Sequence, residues 1–275
     1  MRKAALLGLA LLTGCGAPIE MDLDAGTAPD AGRRDAGITS RDGGSDAGVD
    51  AGLPDAGPRD AGPNHLPVVN ATVLQNRATA YAGQIVELAL GATDEDGDRL
   101  SFTWSGPGSF FENGNPSAQR WFSDELTAPA QVTLTVSVTD GRSAPITRQV
   151  VVAVTVPRFL NVFSEVLSVP VLQGGQCVGC HGSMGDYQVA AIQPVAWQQL
   201  VGADHHRGQA CINAGLTKMV VAGDRQRSLL YRKMTSTQPA GCGDGMPAMS
   251  MVSPASPLSY IVTVGSWIAT GAPND

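Results

Sequence analysis

Residues 131–139 read Gln-Val-Thr-Leu-Thr-Val-Ser-Val-Thr, a regular alternation of apolar and small polar side chains. Successive side chains of a β-strand point to opposite faces, so this segment is predicted to be a strand with one apolar face. The residues predicted to face the core are Val132, Leu134, Val136 and Val138. Three more segments alternate in the same way, separated by Asp-Gly, Asn-Gly or Gly-Pro turns: 84–90, 100–104 and 146–156.

Short strands at this spacing predict an all-β sandwich over residues 65–157. Three runs within or beside it are Asn-His-Leu-Pro-Val-Val at 64–69, Asp-Glu-Asp-Gly-Asp-Arg-Leu-Ser-Phe-Thr-Trp at 94–104, and Val-Thr-Asp-Gly at 138–141. With these runs the segment resembles the PKD-like and other immunoglobulin-like modules of exported bacterial proteins. The resemblance implies that Trp104 is the core tryptophan of a central strand. It also implies a spacer or a weak binding module, since fold alone assigns no function.

The loop at 94–98 carries alternating carboxylates at Asp94, Asp96 and Asp98. Calcium prefers many oxygen ligands, and alternating carboxylates are one way to gather them. The same residues are also typical of a solvated turn, because Asp and Gly supply turn geometry. No complete ligand set is identifiable in the sequence, so the turn is the favoured interpretation and a Ca²⁺ site is the alternative.

Residues 177–181 read Cys-Val-Gly-Cys-His, a C-x-x-C-H motif that indicates covalent attachment of one c-type haem. The thiols of Cys177 and Cys180 add across the two vinyl groups, and the imidazole of His181 reaches the iron as proximal ligand. A zinc ribbon needs a second C-x-x-C, which the remaining cysteines do not form. A thioredoxin-type motif needs a βαβ setting, and a plain disulfide leaves His181 unexplained.

A low-spin cytochrome needs a sixth iron ligand, and the run Gly-Asp-Gly-Met-Pro at 243–247 offers the thioether of Met246. Glycines let the backbone approach the ring closely, and proline stiffens the loop. Met249 and Met251 are close enough to compete, and His205 with His206 would give bis-histidine ligation. Methionine is also a common core filler, but Met246 remains the favoured ligand.

Residues 158–275 show the apolar spacing of short helices. Helices are predicted over 158–172, from Pro194 to about 201, from an N-cap at Asp224 to 234, and over 257–268. The residues predicted to be buried on them are Phe159, Val162, Phe163, Val166, Leu167, Leu229, Leu230, Leu258, Ile261, Val262 and Trp267.

Further runs accompany the C-x-x-C-H motif: Leu-Val-Gly at 200–202, Ser-Leu-Leu-Tyr-Arg-Lys-Met at 228–234, and Gly-Met-Pro at 245–247. With them, residues 158–275 resemble a monohaem cytochrome c domain of exported bacterial proteins. The resemblance implies an all-α fold around the haem, with His181 and Met246 as axial ligands. One departure is Ala248, which stands where the family's Met-Pro-Pro run has its second proline.

Two cysteines remain in this region, Cys211 and Cys242. In an oxidising compartment they are predicted to pair as a disulfide. The alternative is two free buried thiols.

The N-terminus begins Met-Arg-Lys, continues with a short apolar run and reaches Leu-Thr-Gly-Cys at 12–15. The apolar run is too short to span a membrane, so residues 1–14 are predicted to be a signal peptide. The tetrapeptide resembles the bacterial lipoprotein signal, which implies acylation of Cys15 and a lipid anchor. The alternative is an ordinary secretory signal with a chance cysteine. Gly16 after Cys15 favours the outer membrane, with the chain facing the periplasm or the cell surface.

Residues 15–64 repeat Asp-Ala-Gly at irregular intervals and offer little for a core to bury, so they are predicted to be a disordered linker. This linker carries ten acidic and four basic residues of a chain whose net charge is -7. The segment 158–275 is nearly neutral, with six acidic and seven basic residues. No basic stripe is present, so nucleic acid is not expected as a partner.

The sequence thus predicts a multidomain chain: an immunoglobulin-like β-sandwich and an all-α cytochrome c-like domain after a disordered linker. The leading function is that of a membrane-anchored c-type cytochrome that transfers single electrons to an unidentified redox partner. One alternative is an adhesion or ligand-binding lipoprotein whose sandwich binds glycan or protein, with the haem domain as a sensor. A further alternative is a peroxidase-like enzyme in which Met246 leaves the iron.

Overall fold

The computed structural model describes residues 63–168, 189–202, 204, 208–243, 245–246 and 256–275. These residues belong to one compact unit, Gly62–Asp275. The predicted signal peptide at 1–14, the predicted acylation site Cys15 and nearly all of the predicted linker at 15–64 lie outside the described residues.

Ten strands lie in the first part of the described chain. In chain order they are β1 Val68–Val69, β2 Leu74–Gln75, β3 Thr79–Tyr81, β4 Val86–Ala89, β5 Ala92–Thr93, β6 Ser101–Ser105, β7 Ser109–Glu112, β8 Ala118–Phe122, β9 Ala130–Thr139 and β10 Ile146–Thr155. One four-stranded sheet has the order β3-β10-β9-β6 and another has the order β2-β4-β8-β7, while β1 pairs with β5. The four segments with alternating side chains are β4, β6, β9 and β10, so those strand predictions are confirmed.

The two larger sheets share one hydrophobic core, which makes this part of the chain a β-sandwich. Leu134, Val136 and Val138 of β9 are fully buried in that core, as the alternation predicted, and Val132 is half-buried. β10 adds the buried residues Val150, Val152 and Val154, and the second sheet adds Val86, Leu88 and Trp121. All pairs within the two sheets are antiparallel except β3 with β10, which is parallel.

The expected position of the core tryptophan is wrong. Trp104 is only half-buried, because β6 lies at the edge of its sheet rather than at its centre. The fully buried tryptophan is Trp121 on β8, whose indole N–H donates to the carbonyl oxygen of Pro107 at 2.9 Å. A buried indole needs such a partner, since an unpaired N–H in an apolar core is costly.

Five helices lie in the remaining part of the described chain, joined by turns. They are α1 Phe159–Val162, which continues as a π-helical turn over Phe163–Leu167; α2 Gln193–Trp197, which continues as a π-helical turn over Gln198–Gly202; α3 Gln209–Asn213; α4 Leu229–Met234; and α5 Ser256–Ala269. The predicted helices at 158–172, 194–201, 224–234 and 257–268 overlap α1, α2, α4 and α5. No pattern in the sequence indicates α3.

The predicted start of α4 is wrong by several residues. The helix begins at Leu229 with Ser228 as its N-cap residue, not at Asp224. The Asp224 carboxylate instead accepts a hydrogen bond from the Arg227 backbone N–H at 3.1 Å, within a turn before the helix. The Ser228 hydroxyl holds the same turn, because it lies 2.7 Å from the Asp224 carbonyl oxygen and 2.8 Å from the Val221 nitrogen.

The helices enclose a second hydrophobic core. Phe159 of α1 and Trp267 of α5 are fully buried, and their ring centroids lie 5.2 Å apart. The predicted apolar faces of α1 and α4 are confirmed, since Val162, Leu167 and Leu229 are also fully buried. The prediction for Leu258 on α5 is wrong, because 54% of that side chain is exposed.

α5 lies between the sandwich core and the helical core, which accounts for the exposure of Leu258. Val262 packs against the sandwich core, and Val264 is buried in the helical core. A stripe of small polar residues, Ser259, Thr263 and Ser266, is also buried. Two faces of α5 are therefore covered, one by each core. Leu258 is expected on the buried side of a helix that packs on a single core, and here it lies outside both covered faces. Among the described residues, no helix combines the length and apolar character needed to cross a membrane.

Candidate functional site

Most of the predicted haem ligands lie outside the described residues. These are Cys177, Cys180 and His181 of the C-x-x-C-H motif, together with the alternative ligands His205, His206, Met249 and Met251. Met246 is described, and it is half-buried. The described part of the site consists of residues 242–243 and 245–246, which we call the Met246 loop, and of the helical core.

The Met246 loop is docked onto the C-terminal end of α4. The backbone N–H of Met246 donates to the carbonyl oxygen of Lys233 at 2.8 Å. The ammonium group of the same lysine donates to the carbonyl oxygen of Cys242, also at 2.8 Å. Lys233 therefore holds the loop at two points, on either side of the glycines.

Glycine at position 245 fits the close approach of the loop to α4. A Cβ atom there would lie 3.3 Å from the Lys233 carbonyl oxygen and would clash with the Ser236 hydroxyl. Gly243 has a φ of +78°, a conformation that glycine adopts without steric cost. The glycines that the sequence placed around Met246 thus serve a close contact with a helix end.

Cys211 and Cys242 are joined as a disulfide, with their Cα atoms 5.2 Å apart. Cys211 lies on α3 and is fully buried, and Cys242 is 7% exposed. The bond ties the start of the Met246 loop to α3, while Lys233 ties its end to α4. Both cysteines belong to the helical core.

Described residues on both sides of the segment 169–188, which carries the C-x-x-C-H motif, are buried in the helical core. Leu167 precedes the segment 169–188, Val189 follows it, and both side chains are buried in the helical core. The backbone N–H of Ala190 donates to the Gln199 side chain at 2.6 Å, which holds Ala190 against the turn after α2. Described residues that border the two runs with predicted ligands therefore belong to the same core.

The carboxylates of Asp94, Asp96 and Asp98 converge, because one oxygen of each lies within 4.8 Å of the others. Asp94 accepts hydrogen bonds from the backbone N–H groups of Asp96 and Asp98 at 3.0 and 3.1 Å. The Asp98 carboxylate lies 3.2 Å from the Arg142 guanidinium. These residues could hold a cation, and the same contacts also stabilise the loop as a turn.

Asp96 forms an ion pair with His65. The His65 ring nitrogen Nδ1 lies 2.8 Å from one Asp96 oxygen, and the His65 backbone N–H donates to the other at 2.7 Å. The hydrogen bond to Asp96 raises the pKa of His65 above its ordinary value, and the same bond lowers the pKa of Asp96. Nearby, hydrogen bonds from Asn64 and from the backbone of the 140–143 turn lower the pKa of Asp140.

A polar cluster that sequence reasoning missed joins the sandwich to the helices. Glu125, in the segment after β8, pairs with the Arg225 guanidinium and accepts a hydrogen bond from the Tyr231 hydroxyl at 2.7 Å. The backbone N–H of Leu126 donates to the Ser266 hydroxyl oxygen of α5 at 2.9 Å. Contacts between residues about 100 positions apart leave no local pattern in a sequence, so no signal could have revealed them.

A second contact region joins β3 to α5 and to the turn after α1. The Thr263 hydroxyl donates to the carbonyl oxygen of Ala82 at 3.1 Å. Burial is the main cause that raises the pKa of Tyr81 well above its ordinary value, and a hydrogen bond with Glu165 raises it further. A cavity of about 570 Å³ lies beside these residues and is also lined by Arg77 and Tyr260.

No protein-family model matches the chain, and no curated protein matches it. Among solved structures, the PKD1 domain of Vibrio anguillarum Epp aligns with 34% of this chain and 100% of its own length, at 27% identity and a TM-score of 0.23. A nucleoside hydrolase-related protein from Saccharophagus degradans, associated with carbohydrate metabolism, aligns with 34% of this chain and 26% of its own length, at 22% identity and a TM-score of 0.26. The ZirS C-terminal domain aligns with 53% of this chain and 99% of its own length, at 11% identity and a TM-score of 0.20. All three are weak structural neighbours.

Proposed function

We propose that the chain is a membrane-anchored monohaem c-type cytochrome that transfers single electrons. The observation that carries the proposal is the C-x-x-C-H motif at 177–181 in a chain that begins with the pattern of an export signal. The bound haem would supply an iron that alternates between two oxidation states and so carries one electron. Cys177 and Cys180 would hold the ring, and His181 would provide the proximal ligand.

The helical core supports this assignment, because residues that border both ligand-bearing runs are buried in it. Leu167 and Val189 border the segment 169–188, and Cys242 begins the Met246 loop. A redox site benefits from ligands whose positions change little between oxidation states, and anchoring both runs to one core provides that restraint. The covalent thioether bonds would add a further restraint on the ring itself.

Met246 fits the role of the second axial ligand on chemical grounds. A thioether is a soft, weakly basic donor, and it is one of the usual partners of histidine on haem iron. Because the iron–thioether bond is weak, the loop that presents it needs support from the protein. The Lys233 contacts and the Cys211–Cys242 disulfide supply that support at the two ends of the loop. Two axial ligands leave no open iron position, which favours electron transfer over peroxidase-like chemistry.

The remaining parts of the chain would position this domain at the cell envelope. Acylation of Cys15 would anchor the chain, because each buried methylene group of an acyl chain contributes about 0.8 kcal/mol to membrane binding. The linker at 15–64 would give the folded part reach from the outer membrane, towards the periplasm or the cell surface. The sandwich would serve as an immunoglobulin-like, PKD-type module; the adhesion alternative assigns it a glycan or protein ligand.

The test is to produce the full chain in a bacterial host that attaches haem to exported proteins. We expect covalent haem by haem staining after denaturing electrophoresis, one haem per chain in the pyridine adduct, and a visible spectrum that changes on reduction. The double variant Cys177→Ala/Cys180→Ala should lose the covalent haem. A wild-type chain that carries no haem under these conditions would overturn the proposal.

The axial ligand is tested separately by Met246→Ala. This variant should lose the methionine-to-iron charge-transfer band and shift the spectrum towards high spin. Met249→Ala, Met251→Ala and His205→Ala are the matched controls, and they should keep the wild-type spectrum. If Met249→Ala or Met251→Ala loses the band and Met246→Ala keeps it, the ligand is that other methionine. A wild-type spectrum without the band would indicate a histidine ligand instead.

A further inference from the structure

The cluster around Glu125 connects the sandwich to the helix that supports Met246. Glu125 belongs to the sandwich side of the junction, and its carboxylate is 18% exposed. It accepts a hydrogen bond from the Tyr231 hydroxyl of α4 at 2.7 Å and pairs with Arg225, which lies just before α4. Hydrogen bonds to a charged group are stronger than neutral ones, so this carboxylate is a firm attachment for α4.

The backbone of α5 leaves room for the Glu125 carboxylate. A Cβ atom on Gly265 would clash with the carboxylate and would lie 2.8 Å from the Tyr231 ring. The Glu125 and Tyr231 side chains therefore lie directly on the bare backbone of α5. Their position is set by packing on α5 as well as by the hydrogen bond between them.

α4 transmits this attachment to the Met246 loop. Tyr231 and Lys233 are two positions apart, so they lie on different sides of the helix. The Tyr231 side of α4 is held by the sandwich through Glu125. At the end of the helix, the Lys233 carbonyl oxygen accepts a hydrogen bond from the Met246 N–H at 2.8 Å. These two contacts lie on a single helix of six residues, Leu229–Met234.

We infer that Glu125, a residue of the β-sandwich, is a positioning residue for the Met246 ligand, acting through Tyr231 and α4. The inference rests on the proposed function in so far as Met246 binds haem iron. It gives the sandwich a role in the redox site: the sandwich sets how firmly the Met246 loop is held.

The first experiment measures hydrogen exchange of the Met246 amide in the full chain by NMR, which requires no haem readout. Glu125→Ala should speed this exchange about tenfold relative to the core amide of Val136, which reports global unfolding. Tyr231→Phe removes only the hydroxyl and should give a smaller change in the same direction. Glu125→Gln keeps an acceptor for Tyr231, so it should restore part of the protection. Glu112→Ala, at an exposed carboxylate on β7, is the matched control and should leave exchange unchanged.

The second experiment measures imidazole binding to the oxidised holoprotein, because imidazole competes with a weakly held thioether ligand. Glu125→Ala and Tyr231→Phe should raise the association constant of imidazole, and Glu125→Ala should raise it about tenfold. The inference is overturned if two quantities each change by less than about threefold in both variants. These are the exchange rate of the Met246 amide relative to that of Val136 and the association constant of imidazole. Absence of covalent haem in the wild-type chain would overturn the proposed function alone, since amide exchange still tests the connection through α4.

Discussion

Replacing Gly83 with alanine tests how closely the sandwich packs against α5. Gly83 has a φ of +87°, and a Cβ atom there would lie 2.8 Å from the Thr263 backbone nitrogen and closer still to the Ser259 carbonyl oxygen. The left-handed conformation costs alanine about 1 kcal/mol relative to glycine. The clash with helix backbone adds about 1–3 kcal/mol, the usual cost of overpacking. Gly83→Ala should therefore reduce the free energy of unfolding by about 2–4 kcal/mol.

Gly114→Ala is the matched control, because Gly114 has a φ of +86° and no atom within 4 Å of the added Cβ. It should cost only the backbone term of about 1 kcal/mol. Urea unfolding followed by tryptophan fluorescence and circular dichroism measures both variants. With an m-value of about 2–3 kcal/mol per molar urea, Gly83→Ala should lower the midpoint by roughly 1–2 M. Equal midpoints for the two variants would refute the close packing of β3 against α5.

Three further predictions concern an ion pair, the disulfide and the sandwich core. The His65 ring should titrate above its ordinary pKa of 6.5 by NMR, and Asp96→Asn should return it to about that value. The raised pKa of His65 means that the pair's contribution to stability is present at pH below 6.5 and is lost as the pH rises through the folded pKa. At the acid end the contribution is fully present above the ordinary Asp pKa of 3.8 and is lost as the pH falls through the lowered pKa of Asp96 in the folded chain. Cys211→Ser/Cys242→Ser should reduce stability by about 3–4 kcal/mol, since the bond closes a loop of roughly 32 residues; alkylation of both wild-type thiols without a reductant would contradict the bond. Trp121→Ala should cost about 3–5 kcal/mol and Trp104→Ala clearly less; equal losses in thermal unfolding would contradict the difference in their burial.

The sequence predicts the strands well where one face is buried and the other is solvated. The side chains of β9 alternate with period two, and Leu134, Val136 and Val138 are fully buried as the alternation requires. The sequence does not predict which strand lies at a sheet edge, because edges are set by pairing between distant segments. Trp104 lies on β6 at the edge of its sheet, whereas Trp121 lies on β8 between two neighbouring strands.

The sequence predicts four of the five described helices but not the junction between the two cores. Ser259, Thr263 and Ser266 have the composition of a solvated face, yet they are buried because small side chains let α5 approach the sandwich. Leu258 is exposed because the sandwich covers a different face of α5. Of the predicted site, Met246 and its glycines can be identified from the sequence, whereas the support from Lys233 depends on tertiary contacts.

The shared position of α5 has a consequence for how the chain acquires its structure. The helix lies near the C-terminus, at Ser256–Ala269, yet it covers the sandwich at Ala82, near the beginning of the folded part. The sandwich therefore cannot complete its packing until α5 has been synthesised and, on the proposed export, delivered across the membrane. A fragment ending at residue 157 would present to solvent the surface that Val262 covers in the whole chain. Ligand-binding measurements on such a fragment would then include self-association through an artificial apolar surface.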